Sequence, residues 1–113
     1  MSGVVSVLGT SYEIRYLSQE DDERLENYNG YCDAYSHLII ISTDKDGDIH
    51  DYKVLQRKVL RHEIVHAFLH ESGLDCNSQC LDSPWATNEE MVDWIALQGE
   101  KIYRAWEEAG AIG

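Results

Sequence analysis

The sequence predicts an α+β fold: a small N-terminal β-sheet packed on one helix, followed by a second, C-terminal helix. Two observations carry this. The apolar period changes from strand-like to helix-like midway along the chain, and the change comes without a linker. No repeat or low-complexity tract interrupts the pattern, so residues 1–113 are expected to form a single domain.

Each element has a local reason. Val4 to Leu8 and Ser11 to Leu17, with Gly9-Thr10 between them as a turn, have the form of a β-hairpin whose second arm alternates apolar and polar residues. The acidic stretch Gln19 to Glu26 reads as a solvated loop or short helix. Gly30 to Ala34 and Leu38 to Ser42 read as a second hairpin, and the successive isoleucines of its second arm predict burial on both faces. Thr43 to Asp51 is a turn-rich acidic loop; its Asp44-x-Asp46-x-Asp48 run lacks the closing glutamate of a calcium loop, Leu55 standing in that place. From Tyr52 to Ser72 apolar residues fall nearly all round a helical wheel, predicting an enclosed helix stopped by Gly73. After a polar connection, Ser83-Pro84 offers an N-cap and first-turn proline, with Thr87-x-x-Glu90 as an alternative capping box, for a helix reaching about Ala109.

Composition narrows the partners. Against 9 basic residues stand 21 acidic ones, a formal net charge of −12 that repels phosphate backbones and anionic lipid. Neither nucleic acid nor a membrane surface is therefore expected as a partner. The N-terminus shows no basic-then-apolar signal pattern and no apolar run is long enough to span a bilayer, which predicts a cytoplasmic protein. Cys32, Cys76 and Cys80 are an odd count without zinc-ribbon spacing, consistent with free thiols, a Cys76–Cys80 disulfide being the alternative. Trp85, Trp94 and Trp106 are expected as core or interface anchors.

The chemistry-bearing motif is His62-Glu63-Ile64-Val65-His66 in the first helix. Two imidazoles one turn apart can hold a single divalent ion while the intervening glutamate faces the water that the ion binds. On the wheel His62, Glu63, His66 and His70 share one arc of about 100°, and a polar face on an otherwise apolar helix needs a partner that a metal would supply. A catalytic zinc requires a third protein ligand. Ser72 stands where a three-histidine motif would place its last ligand, and His70 continues a straight row that cannot easily close round one ion. A cysteine thiolate has no spacing to recommend it. In the second helix Val92, Ile95, Ala96, Gly99, Ile102, Tyr103 and Trp106 form an apolar stripe with Glu89 and Asp93 along its edge, whereas Glu90 points to solvent. Glu89 is thus the expected third ligand, and Asp93 the acceptor for the far nitrogen of a ligating imidazole.

With His62-Glu63-x-x-His66 on one helix and Glu89-x-x-x-Asp93 on the next, the chain resembles the gluzincin metallopeptidases. Within them it is similar to the small phage and bacterial proteins related to the ImmA/IrrE metallopeptidases and to the minigluzincins. The resemblance implies a minimal zincin-like fold, Zn²⁺ held by His62, His66 and Glu89, Glu63 as general base and Asp93 behind a ligand histidine. It also implies a sheet edge that receives an extended peptide, either Tyr31 to Ala34 or Leu38 to Ser42. The expected function is zinc-dependent hydrolysis of a peptide bond in a protein or peptide substrate, without a nucleophilic side chain. A donor to the tetrahedral oxyanion is not singled out; His70, His37, Tyr31, Tyr35 and Tyr103 are the candidates. Two other classes stand beside this reading. One is a non-catalytic acidic binding module with structural zinc, in which Glu63 would have no task. The other is a metal-dependent amide hydrolase of non-peptidase type, for which Cys32 upstream of the motif is a faint echo.

Overall fold

The structure, a computed structural model, describes residues 2–44, 51–75 and 85–113. Four strands form one mixed sheet: β1 (Ser2–Val7), β2 (Thr10–Leu17), β3 (Gly30–Asp33) and β4 (Leu38–Ser42), in the order β1-β2-β4-β3. Two helices, α1 (Tyr52–Glu71) and α2 (Glu89–Glu108), complete an α+β architecture. Both expected hairpins are present as antiparallel pairs, and they join through a parallel pairing of β2 with β4 in which Glu13 sits opposite Leu38. That pairing makes β4 an inner strand. Its burial at Ile39, Ile40, Ile41 and Ser42 follows, because neighbouring strands cover its edges and both its faces are packed.

The first turn is displaced by one residue from its expected place. Leu8 and Gly9, both at positive φ (49° and 88°), are the two loop residues, and Thr10 already pairs with Val7. A two-residue loop of the primed type follows the twist of the strands, so hairpin register outweighs the turn preference of Thr10. In the acidic stretch Glu23–Glu26 is a single 3₁₀ turn capped by Asp22, which buries Leu25.

The core lies between one face of the sheet and α1: Val7, Tyr12, Ile14, Ile39 and Ile41 pack with Val59 and Ala67. Helix α1 is less enclosed than its wheel implies. Only Val59, Glu63 and Ala67 are fully buried, while Val54 and Phe68 are exposed, because the sheet covers one side and α2 only part of another. The helix stops as expected at Gly73, whose φ of 77° turns the chain back over its own last turn. Two links hold that end to the sheet: the Tyr12 and Thr10 hydroxyls donate to Glu71 at 2.7 and 2.9 Å.

Helix α2 is capped by Asn88, whose side chain accepts from the Met91 N–H at 2.9 Å; Thr87 instead ends a 3₁₀ turn over Trp85–Thr87. Ser83-Pro84, Cys76, Cys80, Asp46 and Asp48 lie outside the described residues. The expected apolar stripe of α2 is buried only in its first half, at Val92 and Ala96; Tyr103 and Trp106 are exposed because the helix runs past its neighbours. Trp85, Trp94 and Trp106 are 51%, 56% and 52% exposed, so none is a core residue. No helix among the described residues is long and apolar enough to cross a membrane.

Candidate metal centre

Three contacts place the two helices relative to each other. The Arg61 guanidinium of α1 donates to the Ala96 carbonyl at 2.7 Å and pairs with Glu100 at 3.3 Å, and Lys58 forms an ion pair with Asp93. Going back along α1, His66 meets Glu89, His62 meets Asp93 and Arg61 meets Ala96 and Glu100, while Lys58 returns to Asp93. The start of α2 is thereby set against the middle of the His-Glu-x-x-His segment.

His62, His66 and Glu89 each bring one ligating atom to within 4.8 Å of the others. The two imidazole Nε2 atoms are 3.2 Å apart, and the Glu89 carboxylate reaches them at 2.6 Å for His66 and 3.6 Å for His62. Two nitrogens bound at tetrahedral angles to one zinc would stand about 3.3 Å apart, so the donor set and its spacing fit such an ion. On the far side of the His62 ring, Nδ1 lies 3.2 Å from the Asp93 carboxylate. An N–H donated there leaves Nε2 as the lone-pair nitrogen turned toward the group. The Lys58 ammonium, bonded to Asp93, holds that carboxyl below the usual range and keeps it an acceptor. Burial holds His66 below the ordinary imidazole value, favouring the neutral ring that a metal requires, although the Glu89 carboxylate opposes the shift.

Glu63 is on the same helix between the two histidines, yet only 7% exposed. Desolvation first, and the charge of Glu89 second, push its carboxyl up to about 7, with Lys58 acting in the opposite direction. It faces two clefts that meet at the cluster. The larger, about 320 Å³, runs from Glu89 and His66 to His70 and Asp75; the smaller, about 180 Å³, lies between Tyr28, Lys58 and Asp93. Glu89 itself is 70% exposed in its side chain, so it closes the site from the rim.

No family model, curated protein or solved structure matches the chain.

All five residues expected from sequence meet here: His62, His66 and Glu89 as a cluster, Glu63 beside it, Asp93 behind it. Glu90 is exposed and not in the cluster. Cys32 lines the larger cleft without joining the cluster, and burial pushes its thiol up to about 12, far from the thiolate form. Of the two strands that could form an open edge, β4 is internal and β3 is outermost. Strand β3 also forms one wall of the cleft, and Gly30 is what permits this: a Cβ there would meet the Ile40 carbonyl oxygen and Val59 Cγ1 at 2.8 Å.

Three residues were not singled out from sequence. Lys58 carries a signal in hindsight, being one turn before His62 on the same face. Tyr28, exposed beside both clefts, and Asp75, paired with His70, come from loops where periodicity says nothing.

Proposed function

We propose that the chain is a zinc-dependent metallopeptidase of the gluzincin kind, with a zincin-like fold, hydrolysing a peptide bond in a protein or peptide substrate. The observation that carries this reading is one convergence: two Nε2 atoms 3.2 Å apart, a carboxylate across from them, and a buried glutamate facing the same cleft. A site that merely held a structural ion would have no use for that last group.

His62, His66 and Glu89 would hold the ion, and Asp93 would fix the His62 tautomer. When bound, the zinc supplies Lewis-acid polarisation and lowers the pKa of water toward about 7. Glu63, kept from water and facing the same cleft, is placed to take a proton from water there. The water oxygen adds to the carbonyl carbon and the π pair moves to the carbonyl oxygen. That pair then returns, the C–N bond breaks, and Glu63 gives its proton to the leaving nitrogen. The water is consumed and the glutamate regenerated. The outer edge of β3, at the wall of the cleft, is where an extended peptide would add as a further strand.

The test is cleavage of a proteome-derived peptide library by the zinc-loaded protein, read by mass spectrometry, beside Glu63→Gln. New termini with the wild type, lost in Glu63→Gln while its zinc content stays equal, are expected. Products identical in both proteins, or none in either, would contradict the proposal.

A further inference from the structure

We propose that His70 is a further catalytic residue, meeting the carbonyl oxygen as negative charge develops on it, and that Asp75 is the positioning residue that aims it; this rests on the peptidase reading above. Of the five candidate oxyanion donors, four are placed elsewhere or already engaged. The His37 ring packs against Tyr12, 5.3 Å between centroids, in the turn between β3 and β4. Tyr31 also lines the cleft, but its hydroxyl is already engaged, donating to Asp22. Tyr35 is 91% exposed and presents its ring to the edge of His70. Tyr103 belongs to the exposed half of α2.

His70 alone among them combines three properties. It lines the same cleft as Glu63, His66 and Glu89. It stands one turn, about 5.4 Å, beyond His66 on α1, and it is outside the ligand cluster, so it is free for another task. Its Nδ1 is held by the Asp75 carboxylate at 2.8 Å, while Nε2 has no partner among the described residues. A ring so held has a fixed direction, and Nε2 is the nitrogen left to donate a hydrogen bond.

The local sequence explains how Asp75 arrives there. Gly73 at φ 77° reverses the chain, and the Gly73 and Leu74 N–H groups bond back to the His70 and Leu69 carbonyls at 2.9 and 3.1 Å. The chain is thus folded over the last turn of α1, so a residue two positions after the glycine lies beside His70. The second carboxylate oxygen, Oδ1, is buried and has no partner among the described residues.

The test uses zinc-loaded full chain with the best-cleaved library peptide, and a phosphinic analogue of that peptide as tetrahedral probe. His70→Phe, which keeps a ring but no donor, is expected to retain zinc and KM and to lose about a hundredfold in kcat. Its affinity for the phosphinic probe, measured by calorimetry, falls in parallel, while affinity for the product peptide does not. His70→Gln, which restores an N–H, recovers part of both losses. In metal-free protein the ¹⁵N shifts of the His70 ring report a protonated Nδ1, and Asp75→Asn moves them. Wild-type kcat and phosphinic affinity in His70→Phe would overturn the assignment and leave the peptidase reading intact. Absence of Glu63-dependent cleavage in the wild type would overturn both.

Discussion

At the residue scale, the informative group is Glu63, a carboxyl kept from water in a chain already rich in negative charge. Its folded pKa of about 7 lies above the ordinary 4.5, so the folded state binds the proton more tightly than the unfolded one. Stability of the metal-free protein is therefore unaffected by this group below about pH 4.5 and is lost as pH rises from there to about 7. Glu63→Gln removes that loss. Thermal melts of metal-free protein should show little difference between the two at pH 4 and a more stable variant at pH 8, by on the order of 3 kcal/mol at most. Equal stability at both pH values would mean that the carboxyl is solvated. The positions of His62, Glu63 and His66 were legible in the sequence because ligand spacing on a helix is fixed by 3.6-residue geometry. The unusual state of Glu63 was not, since desolvation depends on how closely β3 and α2 approach it.

At the element scale, the strands and helices were legible because apolar period is a local property, and their ends were less so because caps and turns compete within one or two residues. Leu8 shows the competition: an exposed leucine occupies a left-handed position that the hairpin's two-residue loop demands. Leu8→Asn gives up little burial and relieves that strain, so it should raise stability by about 1 kcal/mol in urea melts. No gain would show that the turn differs from the one described. Gly30 is the converse case. Gly30→Ala forces a Cβ against the Ile40 carbonyl and Val59, and a loss of about 1–3 kcal/mol is expected, with the cleft wall displaced. Nothing in the sequence around Gly30 announces this, because the close approach is to a helix 29 positions further on. The cap of α2 falls at Asn88 rather than at Thr87, which makes Glu89 the first helical residue, where its charge suits the helix dipole. Asn88→Ala should cost about 1 kcal/mol and also weaken metal binding, because it loosens the turn that carries Glu89.

For the whole molecule, the parallel pairing of β2 with β4 is the feature that sequence reading did not supply, and it decides which strand lies beside the cleft. Strand order is a long-range property: two hairpins can join by either outer arm, and the local pattern is the same in both. The joining seen here leaves β3 outermost, next to the helix that carries His62 and His66. The cluster also bridges the two helices, with two of its residues on α1 and one on α2, so an ion bound there would tie them together. At a hundred times its dissociation constant it would add about 2.7 kcal/mol to stability. A corresponding rise in melting temperature on zinc addition, reversed by a chelator, is expected. The most direct test of the central claim is metal content by elemental analysis of wild type, Glu89→Ala and Glu90→Ala, dialysed identically without added metal. About one zinc per chain, lost in Glu89→Ala and kept in Glu90→Ala, is the predicted result; no bound metal, or equal retention in all three, would contradict a centre built from His62, His66 and Glu89.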